Sequence, residues 1–192
     1  MRVLIACEFS GVVREAFRKR GHDAWSCDII ESDDNSPYHI QDDVLKHLND
    51  GWDLMIAHPP CTYLSNVAAG WLFPKGILNQ VRYKLGLEAK EFFLKLLNAN
   101  IEKICVENPV QSKIFEIEKY TQITQPFYFG DPFKKATCLW LKNLPLLKPT
   151  NIIENPESTT TARWYNNCGK NRAKIRSKTF KGIADAMAAQ WG

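Results

Sequence analysis

The sequence predicts an α/β protein: a mostly parallel sheet with helices on both faces. Two patterns carry the prediction. Short apolar runs of buried-strand type alternate with segments of helical spacing, the arrangement that βαβ units impose. The residues able to do chemistry fall just after those runs, where open parallel sheets bind ligands. The length, 192 residues, suits one domain with a modest appendage.

Residues 2–7 form the first apolar run, followed by Glu8-Phe9-Ser10-Gly11 and then Val12, Val13, Ala16 and Phe17 at helical spacing, up to a stop at Gly21. A second strand, 24–27, ends at Asp28. An acid-rich loop follows, Asp42 is placed to cap a short helix ending at Asn49, and 52–57 is the third strand. After an irregular stretch the spacing predicts a long helix over 77–98, with Leu85, Phe92 and Leu96 on one face, and then a strand over 101–106. Residues 137–141 read as a strand at the far edge of the sheet, and 177–191 as the closing helix. No internal repeat or low-complexity tract is present.

Composition narrows the class. With 45% hydrophobic and 24% charged residues the chain is globular in character. The longest stretch without a formal charge, 54–74, contains Pro59-Pro60, His58 and Asn66, so no membrane helix is expected there. The apolar run 3–7 is too short for a signal peptide, and the expected location is the cytoplasm. The six cysteines, at 7, 27, 61, 105, 138 and 168, form no zinc-type spacing, so neither a metal site nor a disulfide framework is expected. Four of them lie in or beside strands, where a thiol acts as a small hydrophobe.

The charge is unevenly placed. Residues 163–181 hold seven basic residues and no acid, whereas residues 1–162 hold 18 basic and 20 acidic residues, a net of −2. Trp164 and Tyr165 lie in the basic stretch. Phosphate neutralisation plus base stacking fits nucleic-acid binding, although a solvated face accounts for the same run.

Cys61 stands apart from the other cysteines because it follows two prolines, which make a stiff non-helical loop. A thiol so placed at the ligand edge is a candidate nucleophile. Glu107 ends a near-continuous apolar strand, where an acid is costly without a partner or a task. One helix and one strand separate the two, so both reach the same ledge, to which the first strand brings Phe9-Ser10-Gly11.

This set, in this order, resembles the DNA cytosine-5 methyltransferase family, and its short phage-type members in particular. Phe9 and Gly11 resemble the family's Phe-x-Gly turn, Asp28 its ribose-binding acid and Asp43-Val44 its Asp-Ile pair. Pro60-Cys61 with Ser65 is similar to Pro-Cys-Gln-x-Phe-Ser, and Glu107-Asn108 to Glu-Asn-Val. Residues 129–137 resemble the Gln-x-Arg-x-Arg segment, with Lys135 at the first arginine, and Gly182 to Met187 resemble the last motif. Val13 and Arg14 stand where the family has two glycines, Thr62 replaces Gln, Pro109 replaces Val, and Phe133 and Thr137 replace polar residues.

The resemblance implies a Rossmann-like S-adenosylmethionine-dependent methyltransferase fold. It divides the chain into a catalytic and cofactor-binding domain (1–142), a short basic recognition segment (143–177) and a C-terminal helix returning to the catalytic domain (178–192). It implies S-adenosylmethionine held by Phe9, Ser10, Gly11, Asp28, Ile29, Asp43, Val44 and Pro59. Catalysis would fall to Cys61, Glu107 and Lys135. Substrate would be bound by Pro60, Ser65, Asn108 and Pro109, with Arg163, Arg172 and Arg176 of the basic segment. The implied substrate is cytosine in duplex or single-stranded DNA, with RNA or a free nucleotide left open by the short recognition segment. In the implied reaction Cys61 adds to carbon 6 and Glu107 serves N3. Two other readings stay open: an amino-group methyltransferase acting on adenine N6 or cytosine N4, since His58-Pro-Pro-Cys61 loosely resembles the loop of that class, and a non-catalytic binder of nucleic acid or S-adenosylmethionine. Asp28 and Asp43 serve equally well as loop or helix caps.

Overall fold

The computed structural model describes residues 1–159 and 172–192. Its strands are β1 (Arg2–Ala6), β2 (Asp23–Asp28), β3 (His39–Gln41), β4 (Leu54–Ala57), β5 (Lys103–Asn108), β6 (Gln122–Thr124), β7 (Phe133–Lys134), β8 (Thr137–Lys142) and β9 (Glu157–Ser158). Its helices are α1 (Val12–Arg18), α2 (Ala69–Leu72), α3 (Gln80–Leu97), α4 (Arg172–Ser177) and α5 (Lys181–Trp191). Seven strands form one sheet in the order β3-β2-β1-β4-β5-β8-β6. The first five are parallel, while β8 runs antiparallel to both of its neighbours. Among the described residues β7 and β9 make a separate two-stranded ribbon.

The period of two along a strand decides which residues meet which helix. Val3, Ile5, Leu54, Ile56 and Cys105 face Val13 and Phe17 of α1 and Ile183, Met187 and Trp191 of α5. Leu4, Ala6, Met55, Ala57, Ile104 and Val106 face the other way, against Phe93 and Leu96 of α3. Every one of these strand residues is fully buried. Burial on both faces is what a parallel sheet requires, and it explains why the strands read as continuous apolar runs. Each such Leu, Ile or Val contributes about 1.5–3 kcal/mol by leaving water.

The order of the strands corrects one expectation. Residues 137–141 do not lie at the edge: β8 is an interior strand, flanked by β5 and β6. Thr137, Cys138, Leu139 and Trp140 are all buried, as a strand covered on both sides demands. The edge is β6, whose Ile123 is 39% exposed. Local boundaries also shift. The long helix begins at Gln80, where the Asn79 side chain accepts a hydrogen bond from the Arg82 N–H at 3.1 Å. Asp43, and not Asp42, caps the turn that follows β3, while Asp42 pairs with Lys46 at 2.7 Å. The expected closing helix, 177–191, begins at Lys181 as α5, and a separate short helix, α4, precedes it.

Residues 143–159 are stitched to the body of the protein. Leu147 is 1% exposed, and the Gln122 side chain brackets its backbone, donating to the carbonyl at 2.8 Å and accepting from the N–H at 2.9 Å. The Trp191 indole donates to the Pro145 carbonyl at 3.0 Å. At the start of α5 a Cβ on Gly182 would sit 2.0 Å from the Phe129 carbonyl oxygen. Only glycine lets the helix approach this closely.

Candidate active site

The register places Ala6 beside Ala57 and Ala57 beside Val106, so the residues that follow β1 and β4 and the end of β5 sit at one level. Glu8, His58 and Glu107 come from these three neighbouring positions. His58 Nδ1 lies 2.7 Å from Glu107 Oε2, with the two side chains only 10% and 17% exposed. Burial works against the charge on His58, but the hydrogen bond and charge of Glu107, joined by the charge of Glu8, hold the imidazole above its ordinary pKa. Burial pushes Glu107 the other way, yet the His58 hydrogen bond and the charges of His58 and Lys135 hold its carboxyl below the ordinary value. Both shifts favour the charged pair, imidazolium against carboxylate, in which Nδ1 donates. His58 Nε2 is buried and has no hydrogen-bond partner among the described residues.

Cys61 sits on an exposed loop that is pinned from three directions. Asn108, 1% exposed at the end of β5, donates from Nδ2 to the Pro59 carbonyl at 3.0 Å. Ser65 bridges to Gln111, and the flanking backbone bonds, Asn66 N–H to Val110 at 2.8 Å and Ser112 N–H to Leu64 at 2.7 Å, tie this loop to the one after β5. Arg82 of α3 donates to the Thr62 carbonyl at 2.9 Å. Partial burial pushes the Cys61 thiol up, Lys135 and Arg176 pull it down, and Glu107 pushes it up. Cys61 and Glu107 are thus within electrostatic reach of each other, and Lys135 acts on both. Lys135 donates to the Arg176 carbonyl at 3.1 Å. Pro59 is buried, Pro60 exposed and Pro109 half-buried in the two linked loops. By contrast, burial pushes the thiol of Cys27 to about 12 and that of Cys138 to about 11, as expected of cysteines that only pack.

The end of β1 and α1 form the other half of the site. Glu8, 4% exposed, accepts the Val13 and Arg14 N–H groups at 2.7 and 3.2 Å and the Ser10 hydroxyl at 3.3 Å, so it satisfies the first turn of α1. Phe9 is 8% exposed, and the Lys174 ammonium sits over its ring, 5.1 Å from the centroid. Asp28 ends β2 half-buried, its pKa raised by burial, beside Ile29, which is 74% exposed. A carboxylate beside an exposed aliphatic face fits the ribose and base of an adenosine, and the Phe9 ring already accepts a cation. The fit is poorer at Gly11, whose φ is +71°: the space a Cβ would take lies 2.3 Å from Arg14 Nη2. Arg14, fully buried, bonds Ser26 at 2.7 Å and pairs with Asp34. It fills the room that a glycine would leave open. The Asp43 carboxylate is occupied as a cap, accepting the Leu45 N–H at 3.0 Å, and Val44 is 3% exposed in the core.

Part of the basic segment is neutralised from within. Lys174 and Lys178 both pair with Asp33, and Lys181 pairs with Asp185. Arg163 lies outside the described residues, and Arg172 is described only as backbone of α4.

The sequence did not assign His58 to the Glu107 site or Glu8 to any role. The signal for His58 was its own position, directly before Pro59-Pro60 at a strand end. Unforeseen too was an open concavity of about 390 Å³ beside the Cys61 loop, lined by Tyr63, Trp71, Asn79, Val81, Arg82 and Leu85, with Trp71 73% exposed. Among the described residues no cluster of His, Cys, Asp and Glu could hold a metal ion, and no helix is long and apolar enough to cross a membrane.

No protein-family model and no curated protein matches this sequence. Solved structures do match its fold. One is a protein assigned as a DNA modification methyltransferase encoded within an E. coli prophage, with a TM-score of 0.51 and 17% identity, covering 85% of this chain and 54% of the other. Another is the Entamoeba histolytica methyltransferase EhMeth, with a TM-score of 0.50 and 16% identity, covering 80% of this chain and 57% of the other. The chain spans little more than half the length of either. With its parallel sheet closed by an antiparallel β8, the protein has the Rossmann-like fold of S-adenosylmethionine-dependent methyltransferases.

Proposed function

We propose that this protein methylates carbon 5 of cytosine in DNA, with S-adenosylmethionine as methyl donor. The observation that carries the reading is that Cys61, which follows β4, and Glu107, at the end of the neighbouring β5, act electrostatically on each other, with Lys135 acting on both. The two matched methyltransferase structures, one assigned to DNA modification, support it.

Carbon 5 is a weak nucleophile because attack from it costs the ring its aromaticity. Addition of the Cys61 sulfur to carbon 6 removes that cost and moves electron density toward carbon 5 and N3. Burial leaves Cys61 a thiol at rest, so the cations of Lys135 and Arg176 are needed to favour the thiolate. Glu107 hydrogen-bonds N3 and compensates the charge that the addition creates. Asn108 and the Ser65–Gln111 bridge hold the sulfur to this geometry. When bound, the cofactor supplies an electrophilic methyl on a sulfonium. Phe9, Asp28 and Ile29 would hold it. Transfer of the carbon 5 proton to solvent water and of the N3 proton back to Glu107 lets the C6–S bond break with its pair on sulfur and restores the aromatic ring. A base in duplex DNA must first leave its stack, at a cost of a few kcal/mol. The exposed Trp71 face beside the Cys61 loop offers stacking for a neighbouring base.

The test is incubation with labelled S-adenosylmethionine and a panel of duplex DNA, single strands, RNA and nucleotides, followed by mass spectrometry of the nucleosides. The expected product is 5-methylcytosine, absent with Cys61→Ala. Wild type should be trapped covalently on DNA containing 5-fluorocytosine and Cys61→Ser should not. N6-methyladenine or N4-methylcytosine as product would overturn the reading.

A further inference from the structure

The His58–Glu107 pair creates a difficulty that the proposed reaction must solve. Glu107 is held as a carboxylate, and a carboxylate has no proton to give N3, which in neutral cytosine is itself an acceptor. We propose that His58 is the positioning residue that stores this proton: its Nδ1–H, 2.7 Å from Glu107 Oε2, is the source of the proton that Glu107 delivers to N3. The inference rests on the cytosine reading and deepens it.

The step balances. As the Cys61 sulfur, its thiol proton already released to solvent, bonds to carbon 6 through its lone pair, the ring electron pair moves to N3. The Nδ1–H bond of the imidazolium breaks and leaves its pair on Nδ1, so the ring becomes neutral. Glu107 takes the proton on Oε2 and presents it to N3 by turning about χ3, a broad torsion in glutamate. When the C6–S bond breaks, the N3 proton returns through Glu107 to Nδ1. No proton is drawn from solvent for the addition.

Two further observations bear on His58. A structural histidine buried in a core engages both ring nitrogens, yet Nε2 here is buried without a partner among the described residues. The sheet does not need the imidazole either, since the His58 backbone N–H already donates to the Ala6 carbonyl at 2.9 Å. The charged and titratable groups coupled to the pair are Glu8 after β1, Lys135 between β7 and β8, Cys61 on the same loop as His58, and the thiols of Cys105 in β5 and Cys138 in β8, which Glu107 pushes up. Glu8 favours the imidazolium and Lys135 opposes it, so the store is poised between them.

The decisive variant is His58→Asn, which can keep a donor toward Glu107 but holds no transferable proton. With single-strand and duplex DNA as substrates, kcat is expected to fall about 10²–10⁴-fold, the range of a lost general acid, with KM for DNA within about twofold of wild type. Wild-type kcat should decline as pH rises through the raised pKa of His58, and that alkaline limb should be absent from His58→Asn. A variant with wild-type kcat and the same alkaline limb would overturn the inference while leaving cytosine methylation intact. A wild type that forms no 5-methylcytosine and no 5-fluorocytosine adduct would remove the reading and the inference together. A second measurement needs no substrate. The imidazole NMR signal lost in His58→Asn should titrate above the ordinary histidine value in wild type and move down in Glu107→Gln. An ordinary titration in wild type would overturn the store.

Discussion

Asn108→Ala separates what holds the Cys61 loop from what reacts on it. Asn108 Nδ2 gives the buried Pro59 carbonyl a hydrogen bond at 3.0 Å, and Asn108 Oδ1 is itself buried without a partner among the described residues. Truncation leaves the carbonyl unpaired, at about 1–3 kcal/mol. It also removes the unsatisfied Oδ1, which offsets part of that cost. The net expected is a loss of about 1–2 kcal/mol, or roughly 2–8 °C in Tm for a chain of this size. The reaction should suffer as well, because the same bond fixes the backbone just before Cys61. If the loop leaves its reactive position by about 1.4 kcal/mol, the competent fraction falls about tenfold. The assay is the rate of covalent trapping on DNA containing 5-fluorocytosine, measured at a temperature well below the variant's Tm. A variant with lowered Tm and an unchanged trapping rate would show that Asn108 supports the fold but not the placement of the sulfur. One with neither changed would refute the role of the bond.

Two other expectations follow from buried contacts. In Gly182→Ala the new methyl would sit 2.0 Å from the backbone carbonyl oxygen of Phe129, which must shift to admit it. The overpacking, about 2–3 kcal/mol, exceeds the helix-propensity gain of about 1 kcal/mol. A stabilised variant by urea titration would contradict the close approach of α5 to Phe129. Asp34→Asn takes one of two carboxylates from the fully buried Arg14 guanidinium, leaving it only Glu15, 3.0 Å from Nε. The expected cost is about 1–3 kcal/mol, below that of a fully buried pair because Asp34 is 40% exposed. Burial opposes the charge on Asp34, but bonds from Ser32 and the charge of Arg14 hold its pKa below the ordinary value. Its contribution is therefore present above the unfolded aspartate pKa of about 3.9 and is lost as pH falls through the depressed value. Acid unfolding followed by circular dichroism should show a shallower stability loss in that range for Asp34→Asn. An identical profile would show that the pair carries no stability.

The parallel core was legible because it depends on composition over short windows. Residues 3–7 and 104–106 are apolar at every position, and only a doubly covered sheet tolerates that. The place of β8 was not legible, although its Cys-Leu-Trp-Leu run has the same character, because the three-residue β6 that covers it is too short to register as a strand. Cys61 and Glu107 were legible as strand-end groups. The His58–Glu107 pair was not, since it joins residues 49 positions apart and neither one implies the other. Arg14 shows the same limit. In sequence it is a basic residue in a helix, and only the fold reveals that it lies inside, paired with Ser26 and Asp34. The charge of the basic segment was visible, but not that Asp33, more than a hundred positions earlier, answers two of its lysines.

The packing of α1 against α5 has a consequence for biosynthesis. Val13, Ala16 and Phe17 leave the ribosome early, yet the residues that cover them lie between 183 and 191. Throughout translation of everything between, a greasy stripe stays open to solvent beside a sheet that is already pairing. Nascent chains stalled before that stretch should bind chaperones through the stripe and be cleared by proteases, making quality control sensitive to residues 183–191.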